Sequence, residues 1–173
     1  LEYCYRHGIA VQRRITGGGA IYFDPSHLGW ELYLGRRSVG GTSMEAIAER
    51  ICRTAAGGIA RLGIDARFRP RNDIEVDGRK ISGTGGAFDG SSLMYQGTLL
   101  LELDAERMLR VLRVPAEKLT DKAIDDVRER VTDLRTLLGE VPPLEQVKAV
   151  LAAAFAEEFG VELQPAQPLA PAE

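Results

Sequence analysis

Cysteine and histidine are scarce in this chain: Cys4, Cys52, His7 and His27 are the whole supply in 173 residues. Two distant cysteines make neither a disulfide framework nor a CxxC metal or redox pair. Two histidines cannot build a His-rich metal site. Aromatic residues are only 6% of the chain and the arginines are scattered, which excludes a base-stacking nucleic-acid surface. No apolar run approaches the roughly 20 residues of a membrane span, and no signal peptide is visible. The expected setting is a reducing cytoplasm, with no membrane and no nucleic acid as partner.

What is present is a soluble composition, 45% hydrophobic and 27% charged, with a net charge of −3. The charge is uneven. Residues 1–100 hold 13 Lys+Arg against 10 Asp+Glu; the remainder hold 9 against 15. A mildly basic front suits a small anionic ligand, and equally suits a solvated surface. The length predicts one domain with a real core. Leu1 to Gly8 reads as the end of a helix, so the chain is expected to start inside a domain, truncated at its N-terminus. Residues 161–173 read as a Pro/Ala-rich tail beyond a domain spanning 1–160.

Patterning predicts strands at Ile9–Ile15, Ala20–Phe23 and Leu28–Leu34. Thr42 with Glu45 fits a capping box, opening an amphipathic helix through Met44, Ile47, Ile51, Ala55, Ile59 and Leu62. Gly57 and Gly58 weaken that helix unless close packing against a sheet requires them. Strands follow at Ala66–Arg69, Asp73–Val76 and Lys80–Thr84, with Asp77-Gly78 as a hairpin turn. Leu93–Leu103 reads as a long strand, and Asp104 as the cap of a short helix. Ile124, Val127, Val131, Leu134 and Leu138 mark one helix; Leu144 to Phe159 mark another, after Pro142-Pro143. Strands first and helices last predict an α+β fold, with helices packed on a mixed, largely antiparallel sheet.

Two stretches carry chemistry. In RRITGGGA, Arg13 and Arg14 precede Gly17, Gly18, Gly19 and Ala20. Glycines here serve a tight turn or a backbone that a ligand approaches closely. Their amides can line an anion, and a guanidinium can grip phosphate or carboxylate. No helix with a Walker Lys follows, so this is neither a P-loop nor a dinucleotide fingerprint. The plain alternative is a glycine-rich hairpin with two solvated arginines. In RPRNDIEVDGRKISGTGG, Asn72 and Asp73 face Lys80 across a tight turn. They suit Mg²⁺ or the polar edge of a nucleotide; Lys80 suits charge building on a carboxylate and a phosphate. The plain alternative is a surface hairpin. Lys80 is the only lysine in residues 1–100. Cys52 reads as a buried small apolar residue. His27 and Trp30 read as core or strand-edge residues.

Together with YQGTLLLELD and KLTDKAIDDVRERVTDLRTLLG, these stretches resemble the catalytic domain of lipoate–protein ligases, a family grouped with biotin–protein ligases and octanoyltransferases. The resemblance runs from about Leu1 to Gly160. It implies activation of lipoate with ATP and Mg²⁺ to lipoyl-AMP, then transfer to a lysine of a lipoyl-acceptor domain. It implies Lys80 as the catalytic residue. Arg13, Arg14, Gly17, Gly18, Gly19, Ala20, Asn72, Asp73, Ser82, Gly83, Thr84, Gly85, Gly97 and Thr98 would hold substrate and adenylate. Asp73 would meet the magnesium, and Gly83 to Gly86 would form a loop beside it. Two departures stand out. Phe23-Asp24 replaces the family's His-Asp, and Gln96 replaces a histidine. No accessory domain is expected after the last helix, and the resemblance then implies a separate accessory subunit. An octanoyltransferase working without ATP and a noncatalytic acyl-binding module are the alternatives. A biotin ligase is disfavoured, because its glycine–arginine loop is absent.

Overall fold

The computed structural model describes residues 1–40, 43–112 and 120–165. Thr42, the start of the KLTDK stretch and most of the tail lie outside them. The elements run α1 (Glu2–Arg6), β1 (His27–Gly35), α2 (Met44–Ala60), β2 (Arg67–Arg69), β3 (Asp73–Val76), β4 (Arg79–Asp89), β5 (Ser92–Leu100), α3 (Ala105–Val111), α4 (Asp121–Arg130), α5 (Leu134–Leu138) and α6 (Leu144–Phe159). The strands form one sheet in the order β1-β5-β4-β3-β2, and every neighbouring pair is antiparallel. The parallel component of a mixed sheet is reduced to one isolated bridge, Lys80 to Val131. No helix among the described residues is long and apolar enough to cross a membrane.

Strand alternation divides the sheet into two faces. On β5, Leu93, Tyr95, Gly97 and Leu99 are buried, while Met94, Gln96, Thr98 and Leu100 are only half-buried. The buried face meets α2, whose Ile47, Ile51, Ala55 and Ile59 recur at helical spacing and are at most 3% exposed. Each of these isoleucines contributes about 1.5–3 kcal/mol when fully buried. The helix α6 completes this layer: Phe155 packs against Trp30 of β1, ring centroids 5.2 Å apart.

Local chemistry sets the element ends. Ser43 caps α2, its Oγ accepting from Ala46 N–H at 3.3 Å. The β3–β4 turn has positive φ at both Asp77 (50°) and Gly78 (75°), the requirement of a two-residue I′ hairpin. Gly160 ends α6 in the left-handed region. Three expectations fail. Residues 9–15 and 20–23 are irregular, because no strand edge pairs with them. Gly83 to Gly86 belong to β4 and form no loop. The helix expected over 124–138 is two helices, since Val131 leaves α4 to bridge Lys80 and Asp133 caps a new start.

The paired glycines of α2 have different roles. A Cβ on Gly58 would lie 3.0 Å from Val150 O and 3.1 Å from Ala154 Cβ, so the close packing is against α6, not the sheet. A Cβ on Gly57 meets nothing within 4 Å. Gly58→Val should therefore cost about 1–3 kcal/mol in urea unfolding. Gly57→Ala should stabilise by about 0.5–1 kcal/mol through helix propensity. Equal effects at the two positions would show that helix contact does not set the difference.

Candidate functional site

The open face of the sheet is nearly bare. One register row crosses all five strands: Arg69 opposite Asp73, Asp73 opposite Gly83, Gly83 opposite Thr98, and Thr98 opposite Gly29. The next row carries Gly85, Gln96 and Glu31. Glycines at 29, 83 and 85 thus remove side chains from the middle of this face. Segment 16–23 spans the bare floor. At one end Gln96 Nε2 donates to Thr16 Oγ1 at 2.8 Å. At the other, the Phe23 ring lies 3.2 Å from where a Gly29 Cβ would stand. Arg14 closes the turn between them, donating from Nη2 to Gly17 O at 2.8 Å. Gly18 has φ +113°, and the Arg14 guanidinium occupies the space of its missing Cβ. Between segment and floor lies a cleft of about 1100 Å³.

Lys80 enters this cleft from the hairpin. Its backbone is fixed on one side by pairing with Glu75 beyond a bulge at Ile74/Glu75. On the other side Thr132 N–H donates to Lys80 O at 2.8 Å. Its side chain runs over Gly83: Nζ is 2.9 Å from where a Cβ would be. The ammonium pairs with Asp73 Oδ1 at 2.6 Å, and Asp73 Oδ2 accepts from Arg69 Nη2 at 2.8 Å. A Cβ at 83 would push the end of this side chain aside.

A polar network, buried at Thr84, Tyr95 and Cys52 and open at Asn72, holds the neighbouring turn. Asn72 Nδ2 donates to Thr84 O at 2.6 Å, and Thr84 N–H and Oγ1 both donate to Asn72 O at 2.9 Å. Thr84 Oγ1 also lies 2.8 Å from Tyr95 OH and 3.2 Å from Cys52 Sγ. This interlock holds Asn72 beside Arg71, whose φ is +91°. Burial pushes the Cys52 thiol above its usual range, opposed only in part by the hydroxyls of Thr84 and Tyr95. A protonated thiol facing the core is not a nucleophile.

The far wall is apolar, with Tyr22, Phe23, Leu100, Met108, Leu112 and Val131. His27 stands in it, 7% exposed, with neither ring nitrogen in a hydrogen bond among the described residues. The Tyr22 and Phe23 rings meet it edge-on. Burial lowers the affinity of its imidazole for a proton; Asp24 opposes this only in part. Burial also acts to raise Asp24, but hydrogen bonds from Ser26 and Tyr22 outweigh it and hold the carboxyl below its usual range.

Most of the residues expected from sequence converge here. Arg14, Gly17, Gly18, Gly19, Ala20, Asn72, Lys80, Ser82, Gly83, Thr84, Gly85, Gly97 and Thr98 all border the cleft. Two do not. Arg13 is exposed outside it, and Asp73 stands behind Lys80. Arg14 is turned onto its own loop, its guanidinium held by Gly17 O. Gly97 leaves room for a core ring: a Cβ there would come 2.2 Å from Trp30 Cζ2. Asp73 does not fit a magnesium ligand in this arrangement, since both its oxygens hold cations. No group of three or more His, Cys, Asp or Glu that could hold a metal occurs among the described residues. Sequence reasoning missed Thr16, Glu31 and Arg69. Their signal was positional only: Thr16 adjoins Gly17, Glu31 adjoins Trp30, and Arg69 lies three residues before Asn72.

Comparison with known proteins follows this geometry. Residues 1–156 match the model of the lipoyl protein ligase A/B catalytic domain. Lipoate–protein ligase 1 of Staphylococcus aureus is 30% identical over 160 residues, covering 92% of this chain and 48% of that protein. Octanoyltransferase LipM of Kyrpidia tusciae is 29% identical, covering 92% of this chain and 66% of its own length. A structural analysis of the bipartite lipoate protein ligase of Thermoplasma acidophilum and its E2 lipoyl domain supplies a chain with a TM-score of 0.83. It is 26% identical, with 94% of this chain and 63% of that one covered. The chain spans about half the length of the first of these curated relatives.

The His27 environment makes a pH prediction. An unfolded histidine titrates near 6.5, and the folded imidazole titrates lower. Between those values the unfolded state binds more protons, so stability falls as pH drops below about 6.5. Unfolding free energies between pH 7 and 5 should decline more for the wild type than for His27→Phe. His7→Phe, at an exposed position, should track the wild type. Parallel curves for all three proteins would remove His27 as the cause.

Proposed function

The chain belongs to the lipoyl protein ligase A/B catalytic-domain family, and from that premise we propose that it is an ATP-dependent lipoate–protein ligase acting through residues 1–160. A lipoate carboxylate oxygen attacks the α-phosphorus of ATP; the bond to pyrophosphate breaks and lipoyl-AMP forms. The amine of an acceptor-domain lysine then attacks the acyl carbon, AMP leaves, and the amine gives up a proton as the amide forms. The supporting names are those of the ligase relatives, which are lipoate–protein ligases.

The observation that carries the reading is the Lys80 ammonium held over Gly83 at the edge of a glycine-rich floor. The first step brings an anion against an anion. It needs positioning and charge neutralisation more than covalent help. An ammonium on a long, mobile stem meets both reactants. Bare glycine backbone at 17–19, 83 and 85 lets a thin acyl chain and the adenylate lie flat, and the apolar wall suits the chain's carbons. Magnesium enters this reading as the nucleotide's counterion, and no residue here is assigned to it.

Octanoyl transfer without ATP is the second reading, favoured by the relative of that name. A cysteine-dependent transferase needs a thiol at the cleft. Cys4 and Cys52, the only cysteines of this chain, are 4% and 0% exposed, and neither borders it. That weighs toward the ligase. Because a bipartite ligase is among the relatives, we also propose that a separate accessory subunit serves the activation step.

The test incubates the full-length protein with lipoate, MgATP and a lipoyl-acceptor domain, with and without an accessory subunit, and weighs the acceptor. A gain of the lipoyl mass only with ATP supports the ligase. A gain of octanoyl from a carrier protein without ATP overturns it. Lys80→Ala should cut lipoyl-AMP formation by about 100- to 1000-fold with the fold retained. Gly83→Ala leaves the core alone but displaces the ammonium, so adenylate formation should fall at nearly unchanged Tm. Full activity in Lys80→Ala would remove the mechanism.

A further inference from the structure

The register row that carries the cleft floor begins with a cation outside the cleft. Arg69 lies on β2, directly opposite Asp73. Its Nη2 meets Asp73 Oδ2 at 2.8 Å while Lys80 Nζ meets Oδ1 at 2.6 Å. Arg69 Nη1 also reaches Glu75 Oε2 at 3.4 Å. The carboxylate therefore has one cation on each oxygen, and it cannot rotate without releasing one of them. A carboxylate torsion is otherwise broad and roughly two-fold. A lysine stem is long and rich in rotamers. An unclamped Asp73 would not hold the ammonium at one place.

We propose that Arg69 is a positioning residue: by clamping Asp73 Oδ2 it presents Oδ1 to Lys80 and so holds the ammonium over Gly83, where the adenylate-forming step uses it. This rests on the ligase reading for the step served, and on geometry alone for the clamp. The order along the row is cation, anion, cation, and then the space where an anionic ligand lies. Arg69 acts through Asp73 and touches no substrate. A simple hairpin-stabilising pair would show in stability but not in the behaviour of Lys80.

The experiment uses the full-length protein and its Arg69→Ala, Arg69→Lys, Asp73→Asn and Arg69→Ala/Asp73→Asn variants, each checked for folding by urea unfolding. Two quantities are read: kcat and KM for lipoyl-AMP formation, and the rate at which acetic anhydride acetylates Lys80, followed by peptide mass. Arg69→Ala should lower kcat about 10- to 100-fold, with KM for ATP changed by less than about threefold. Its Lys80 should acetylate several-fold faster, toward the Asp73→Asn rate. Arg69→Lys, which keeps one contact, should recover part of both. On the Asp73→Asn background, Arg69→Ala should add nothing. An unchanged kcat, an unchanged Lys80 acetylation rate, or the same effect on both backgrounds overturns the proposal. If the wild type makes no lipoyl-AMP either alone or with an accessory subunit, the ligase reading falls, and the acetylation series alone decides the clamp.

Discussion

The strand register of the sheet is the constraint on which the rest depends. Gly29, Thr98, Gly83, Asp73 and Arg69 lie in one row only because four antiparallel pairings agree. A slip of one residue in β4 would turn every side chain to the other face. Ser82 and Thr84 would then stand on the cleft floor, and Gly83 would face the core. Two local devices oppose the slip. The I′ turn at Asp77-Gly78 fixes the hairpin, and the bulge at Ile74/Glu75 absorbs the extra residue that places Lys80 beside Asp73. Ile81, in the core, and Phe88, packed against it, add the energetic bias, since the slip would turn both β4 side chains away from the core.

Glycine serves two opposite purposes in the same strands. Gly86 and Gly97 face the core, where the rings of Tyr95 and Trp30 stand 2.4 and 2.2 Å from the positions their Cβ atoms would take. Gly29 and Gly85 face the cleft, where a Cβ would meet nothing nearer than the Phe23 ring and Thr16. One pair lets large core side chains lie flat against the sheet; the other keeps a floor clear. Gly83 does a third thing, giving passage to a lysine stem. The neighbouring glycines of Gly85-Gly86 thus belong to different faces and different functions, as the two-residue period of a strand requires.

This explains what was legible in the sequence and what was not. The Asp77-Gly78 turn, the period of α2, the Asp104 cap and the antiparallel strands follow from local rules, and each is present. The glycine-rich run 83–86 was misread as a loop because its partners lie on another strand. Side chains of Tyr95 and Lys80 fill the space that glycine leaves, and no local window contains both. The break between α4 and α5 has the same origin. Val131 keeps the apolar spacing of a helix, yet it pairs with the exposed edge of Lys80. Thr132-Asp133 was the available local signal, since an Asp cap two residues later announces a new helix: Asp133 Oδ1 accepts from Thr136 N–H at 2.7 Å. Residues 9–15 and 20–23 have strand composition without a strand edge to join, and composition alone cannot supply one.

The Lys80–Asp73 pair is not there to stabilise the fold. The lysine side chain is 37% exposed and the aspartate 18%, a setting in which an ion pair is worth about 0–1 kcal/mol. Fixing two side chains costs entropy of the same order. Burying the pair more deeply would cost desolvation and would shut Lys80 away from any ligand. The half-exposed arrangement is the one that keeps a cation both placed and available. A stronger pair would tie the ammonium to Asp73 alone; no pair would leave it in water. The weakness of the interaction is therefore consistent with its place at the rim of a cleft, with its backbone held firmly from both sides and only its tip free to change partner.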